Sequence, residues 1–126
     1  MLARSAVIAL LASTFTLVKG QNYGDVTYYT PGLGACGRYN TATDYIVAVA
    51  AQTFDNYPGH GTNPNTNPIC NQSIQVNYQG KSVTVAVADR CGGCPGAADL
   101  DLSPTAFSQL ADQSVGRLHN AEWNYV

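Results

Sequence analysis

Between Val87 and Phe107 the chain reads VADRCGGCPGAADLDLSPTAF, which gathers three carboxylates (Asp89, Asp99, Asp101) and a Cys-x-x-Cys pair into one short stretch. Charged residues are only 11% of the sequence, so this density marks a place for polar chemistry. Paired carboxylates are the machinery of glycoside hydrolysis, one acting as acid and the other as base or nucleophile. The stretch therefore permits a hydrolase, provided the second carboxylate stands across the sugar at the right distance. Asp99 and Asp101 are two apart, so on extended chain they share one face while Leu100 and Leu102 share the other. Like charges on one face repel and raise at least one pKa, an arrangement that functional sites tolerate. The alternative is a solvated strand face, and Asp101 is the stronger functional candidate of the two. Asp89 follows the apolar run Ser82–Ala88. There it either serves a site or caps a turn, pairing with Arg90 or receiving backbone amides.

Cys91-Gly92-Gly93-Cys94 admits three readings. A redox pair needs a helix starting at the first cysteine to depress its pKa, but Pro95-Gly96 follows at once. A zinc site needs two further ligands, and neither a second Cys-x-x-Cys nor a His pair is available. The third reading, a structural disulfide bracing the loop beneath the carboxylates, is the expected one. His60 and His119 are isolated and read as surface histidines. No metal and no cofactor are expected. Tyr28 and Tyr29 point to opposite faces of a strand, so one should be core and the other free to meet a sugar face. Trp123 is either a core anchor or a binding platform.

These residues need a scaffold. Residues 1–20 have the form of a secretory signal: Arg4, a short apolar region from Ala6, then Val18 and Gly20 before a cut at Gln21. Ser13, Thr14 and Thr16 interrupt that region, which is too short and polar to span a bilayer. A secreted protein is expected, with one domain over residues 21–126. That domain carries four basic residues (Arg38, Lys81, Arg90, Arg117) against eight acidic ones. The balance excludes nucleic acid and anionic membrane as partners. Few charges, many polar amides and hydroxyls, and eight tyrosines suit a neutral polysaccharide. Four cysteines in a small exported chain read as two disulfides with three possible pairings. The expected pairing is Cys36–Cys70 with Cys91–Cys94. Asn71-Gln72-Ser73 is an N-glycosylation sequon.

Alternation predicts strands over Asp25–Tyr29, Ile74–Tyr78 and Ser82–Ala88, the last two joined as a hairpin by Gln79-Gly80-Lys81. The continuous apolar run Tyr45–Ala51 reads as a strand buried on both faces. Phe54–Pro68 reads as the longest loop, Leu100–Leu102 as a short strand and Ala121–Val126 as the closing strand. Ser103 as N-cap and Pro104 at the first turn start a helix with Phe107, Leu110 and Ala111 inward. About six short strands and one helix make a small barrel or sandwich.

Thr27-Tyr28-Tyr29 followed by Gly34-Ala35-Cys36-Gly37 resembles the TFYG…GACG opening of expansin N-terminal domains. Val87-Ala88-Asp89 resembles their V-T-D segment. Asp99-Leu100-Asp101-Leu102-Ser103 with Ala106-Phe107 resembles their H-F-D-L-S…AF motif, with Asp101 on the motif's Asp and Asp99 where the pattern has His. The resemblance spans nearly all of residues 21–126. It points to the superfamily of expansins, barwin-like proteins and rare lipoprotein A, and most of all to the short loosenins. It implies an all-β, six-stranded double-psi β-barrel with one or two short helices and a shallow polysaccharide groove. Thr27, Tyr29, Asp89 and Asp101 would be the groove's polar residues, with Tyr28 and Trp123 as further candidate sugar contacts. The expansin pattern also sets Cys36 against Cys70 and offers no counterpart for Cys91–Cys94.

Glycoside hydrolases that share this barrel carry a catalytic-base Asp just after the T-x-Y segment, where this chain has Thr30-Pro31. Neither takes a proton from water. Expansins also carry a second, aromatic-rich cellulose-binding domain, so binding here is expected to use the barrel alone. The resulting expectation is a secreted, monomeric, non-hydrolytic wall-loosening protein acting on cellulose, chitin or another wall glycan. A cysteine-protease inhibitor or defence/effector protein on the same barrel is the alternative, since papain inhibitors share the GACG and DLSP features; it would act through loops such as Phe54–Pro68. A glycosidase or a lytic transglycosylase, the latter needing one acid/base residue, ranks third.

Overall fold

Six strands close into a barrel in the computed structural model, which describes residues 21–126. The expected signal segment lies outside the described residues. In chain order the strands are β1 (Asn22–Tyr28), β2 (Ile46–Ala50), β3 (Ser73–Tyr78), β4 (Lys81–Cys91), β5 (Leu100–Leu102) and β6 (Leu118–Tyr125). Around the barrel they run β1-β5-β2-β4-β3-β6. The β1–β5 and β2–β4 pairs are parallel and the others antiparallel. Among the described residues, two short helices, α1 (Ala51–Asp55) and α2 (Pro104–Ser108), and three 3₁₀ turns accompany the barrel. No helix among the described residues is long and apolar enough to cross a membrane.

Alternation along β3, β4, β5 and β6 fills the interior. Ile74 and Val76, Val83, Val85 and Val87, Leu100 and Leu102, and Leu118, Ala121 and Trp123 all belong to one buried cluster. All five residues of β2 are buried, as its unbroken apolar run requires. The β3–β4 hairpin turns through Gln79 and Gly80, both at positive φ, the geometry whose twist matches the flanking strands. In α2 the Ser103 side chain accepts from the Ala106 amide, with Pro104 in the first turn.

The first and last strands begin three residues before the sequence expectation, β1 at Asn22 and β6 at Leu118, and three further differences have a local physical reason. The chain enters α1 directly from β2, because a continuous apolar run does not distinguish strand from buried helix. The expected loop Phe54–Pro68 is partly ordered. The Asn67 amide donates to the Phe54 carbonyl at 2.8 Å while its Oδ1 accepts from the Ile69 amide at 3.0 Å. Finally, β4 continues to Cys91, so Asp89 lies within a strand and not at its end. Parallel pairing of Ala48 with Asp89, Val49 with Arg90 and Ala50 with Cys91 carries the strand past its apolar part.

Both expected disulfides form, Cys36–Cys70 and Cys91–Cys94, with sequence separations of 34 and 3. Restriction of the unfolded chain grows with loop length, which gives about 4 kcal/mol for the long loop and about 2 kcal/mol for the short one. Urea unfolding of the two double Cys→Ser variants should show the larger loss for Cys36/Cys70. Equal losses would mean that loop closure is not the source.

Candidate functional site

The outer side of β1, β5, β2 and β4 forms one cleft of about 500 Å³. Its centre follows from strand register. Thr27 on β1 pairs with Asp101 on β5, Asp101 with Ala48 on β2, and Ala48 with Asp89 on β4. Thr27, Asp101, Ala48 and Asp89 thus form one row across four strands. Neighbouring strands lie ~4.8 Å apart, so the two carboxylates stand roughly 10 Å apart at the backbone. Between them only the methyl group of Ala48 rises from the floor. Tyr29, just past the end of β1, lines the same cleft.

Each carboxylate has a different environment. Asp101 Oδ1 accepts from the Thr27 hydroxyl at 3.0 Å. Burial pushes its pKa above the ordinary value; the Thr27 hydrogen bond and the Arg117 charge oppose that rise, and the Asp89 charge adds to it. Asp89 Oδ1 accepts from the Ala35 and Arg90 amides, both at 2.8 Å, and its Oδ2 accepts from the Tyr29 hydroxyl at 3.4 Å. The Tyr29 phenol is driven well up, first by burial and then by the Asp89 charge. Asp89 therefore takes backbone amides, as one sequence alternative has it, but does not pair with the Arg90 side chain. That guanidinium grips Asp55 instead, Nε to Oδ1 at 2.8 Å and Nη2 to Oδ2 at 2.7 Å.

The Gly34-Ala35-Cys36 segment explains how Asp89 is held. A Cβ on Gly34 would overlap the Ala88 carbonyl, so only glycine lets this loop lie against β4. The Cys36 amide donates to the Ala88 carbonyl at 3.2 Å, and Cys36 is tied to Cys70. On the opposite rim Asp99 accepts from the Asp25 amide at 2.9 Å and the Gly96 amide at 2.8 Å. Asp99 precedes β5 and braces the loop that follows the Cys91–Cys94 disulfide. The expectation that the Asp99–Asp101 pair raises at least one pKa is met at Asp101 but corrected in its cause: burial comes first, and the carboxylate that adds to it is Asp89.

Thr27, Tyr29, Asp89 and Asp101 are brought together as the sequence suggested. Tyr28 and Trp123 are not. Tyr28 packs its ring on Phe107 with centroids 4.8 Å apart and donates its hydroxyl to the Gln113 carbonyl at 3.0 Å. Trp123 is 2% exposed and donates Nε1–H to the Ala98 carbonyl at 2.8 Å, which makes it a core anchor. Sequence reading missed Asp25 and Arg117, which also line the cleft. Asp25 accepts from Arg117 Nη1 at 3.1 Å and from His119 Nδ1 at 3.3 Å. Burial pushes its carboxyl up, but these two partners outweigh that and hold it below the ordinary range. The partners lie 92 and 94 positions away, so no local motif could have shown the pairing.

Residues 22–120 match the double-psi barrel family described as "Lytic transglycolase", and the chain belongs to that family. It is 32% identical to the "Allergen Asp f 7 homolog" of Arthroderma benhamiae over 82% of its own length, and spans 38% of that protein. It is 35% identical to the "Papain inhibitor" of Streptomyces mobaraensis, covering 82% of this chain and 70% of that one. Among solved structures, a Streptomyces papain inhibitor superposes with a TM-score of 0.77 at 34% identity, covering 87% of this chain and 97% of the other. A mutant Clavibacter michiganensis expansin in complex with cellohexaose superposes with a TM-score of 0.67 at 27% identity, covering 85% of this chain and 50% of that one.

The raised pKa of Asp101 fixes a sign. A carboxyl that holds its proton more tightly when folded stabilises the fold below its ordinary value of 3.8, and that contribution is lost as pH rises through the folded value. At neutral pH the desolvated carboxylate therefore costs stability. Asp101→Asn should unfold at higher urea than the native protein at neutral pH, and the gain should vanish below pH 3.8. A destabilised Asp101→Asn at neutral pH would contradict this.

Proposed function

We propose that this double-psi barrel is a secreted, non-hydrolytic polysaccharide-binding protein that loosens cellulose, chitin or a similar wall glycan. The row Thr27–Asp101–Ala48–Asp89 carries the reading: two carboxylates flank a floor formed by an alanine, leaving room for a sugar ring between acceptors. Asp101 accepts a hydrogen bond from a glycan hydroxyl, oriented by Thr27, while Tyr29 meets the sugar at the cleft's edge. Both oxygens of Asp89 already accept protein hydrogen bonds, which suits a fixed acceptor better than a base that must take a proton from water. Separating glycan chains requires exchange of hydrogen bonds and no base. The relative crystallised with cellohexaose supports a glucan ligand. Two disulfides suit export through an oxidising compartment, with residues 1–20 as the proposed signal and the exposed Asn71 as the proposed glycan acceptor.

A second reading, cysteine-protease inhibition, is favoured by a different observation. Leu33 and Tyr39 are 59% and 79% exposed and pair across an isolated β-bridge, on a loop that Cys36–Cys70 holds to the barrel. With the papain inhibitor as a relative, this rigid apolar knob is the surface that reading would use.

Pull-down on cellulose, chitin and peptidoglycan, with product analysis of the supernatant and a parallel papain assay, separates the readings. Loss of a hydrogen bond to a charged group costs ~1.5–3 kcal/mol, so Asp101→Asn should weaken retention on the preferred glycan by about tenfold or more. No soluble sugar should be released. Release of oligosaccharides that Asp101→Asn abolishes would instead establish a lytic enzyme. Papain inhibition lost in Tyr39→Ser, without glycan retention, would establish the second reading.

A further inference from the structure

The pairing of β1 with β6 contains an irregularity that bears on the cleft. Its register passes from Gly24↔Ala121 to Val26↔Leu118, so two steps along β1 are matched by three along β6. One extra residue is thereby accommodated as a bulge at His119–Asn120. Asn120 sits at φ +59°, a region that side-chain-bearing residues rarely occupy and that Asn tolerates better than most. Bulges re-aim side chains, and such backbone outliers gather at binding and catalytic sites.

Here the bulge faces two clefts at once. His119 reaches Asp25, which lines the central cleft, at 3.3 Å. His119 also lines a second cleft of about 430 Å³, together with Asn77, Tyr78, Gln79, Asn120 and Glu122. The Asp25–His119 contact is thus the shared wall between them. The second cleft presents three amides, one carboxylate, an imidazole and a phenol. Its lining is rich in donors and acceptors and carries a carboxylate, a poor match for an anionic or apolar ligand. Polyhydroxyl ligands need this mixture. Among the described residues, the side chains of Asn77, Gln79, Asn120 and Glu122 make no hydrogen bond within the protein, so their capacity is available to a ligand.

We infer that the glycan track extends past the Asp25–His119 wall into this second cleft, where the bulge presents Asn120 and Glu122 to sugar hydroxyls. The inference rests on the polysaccharide reading and adds a second sugar-binding subsite to it. Chain-length dependence is its consequence: a short oligosaccharide fills the central cleft, and a longer one reaches both.

Titration calorimetry with cellotriose and cellohexaose tests it on the native protein, Glu122→Gln, and Asn120→Gly, which keeps the positive φ accessible while removing the amide. Cellohexaose should bind the native protein more tightly than cellotriose. Each variant should lose about fivefold in cellohexaose affinity, the worth of one hydrogen bond of ~1 kcal/mol, with cellotriose affinity unchanged. Equal native affinities for the two sugars, unchanged cellohexaose binding in both variants, or equal losses for both sugars in a folded variant would each overturn the second subsite while leaving the central cleft intact. Should one variant fail to fold, the other decides. Absence of binding to the native protein by these two sugars and by chitotriose, chitohexaose and soluble peptidoglycan fragments would remove the polysaccharide reading and the subsite with it.

Discussion

Everything at the site depends on three residues that close the barrel. Strand β5 is only Leu100-Asp101-Leu102, yet it fills the gap between β1, to which it is parallel, and β2, to which it is antiparallel. Its two leucines are fully buried in the common core, and that burial fixes the register. A slip of one residue would turn both leucines outward and Asp101 into the core, at a cost of several kcal/mol from the lost apolar burial alone. Asp101 is therefore aimed at the cleft by its neighbours more than by its own contacts. The Ser103 cap and helix α2, which buries Ala106 and Phe107, lock the strand from its far end.

The cleft combines groups in different states of satisfaction. Asp89 and Asp99 are structural as well as cleft-lining: each gathers two backbone amides and thereby holds a loop against the barrel. Asp25 is balanced by a cation and an imidazole. Asp101 has one neutral donor, and burial raises its pKa above the ordinary value. An acceptor left short of donors in a desolvated position is better satisfied by a bound hydroxyl than by the empty cleft. Stability given up there is typical of positions kept for binding.

Much of this was legible in the sequence where the physics is local. Alternation revealed the strands, Ser103-Pro104 announced α2, and Gln79-Gly80 marked the hairpin. The Leu-Asp-Leu pattern put Asp101 opposite two core residues before any partner strand was known. What escaped was set by chain segments distant in sequence. Arg117 and His119 meet Asp25 only because β6 returns beside β1. The irregular pairing at Asn120 leaves no trace in composition or spacing. Trp123 and Tyr28 have the chemistry of sugar platforms, but the core claimed Trp123 and α2 claimed Tyr28. For an amphipathic aromatic, sequence supplies the capability and burial decides the use. The extension of β4 through Asp89 was hidden similarly, since the parallel pairing that sustains it compensates for the end of the apolar run.

The order of strands around the barrel also governs how the chain can fold. The β3–β4 hairpin joins neighbours through a two-residue turn and is available early. Strand β1 borders only β5 and β6, whose contacts with it lie some 70 to 100 positions downstream. Within the barrel, the first strand in chain order thus waits, with its edges open, for nearly the last. Such non-local closure is slow relative to helix or hairpin formation, and open strand edges invite pairing with other chains. Charges at Asp25, polar Asn22 and the flexible Gly24 in β1 make it a poor template for such pairing during that interval. Asp25, which later borders the cleft, thus also guards the unfinished barrel.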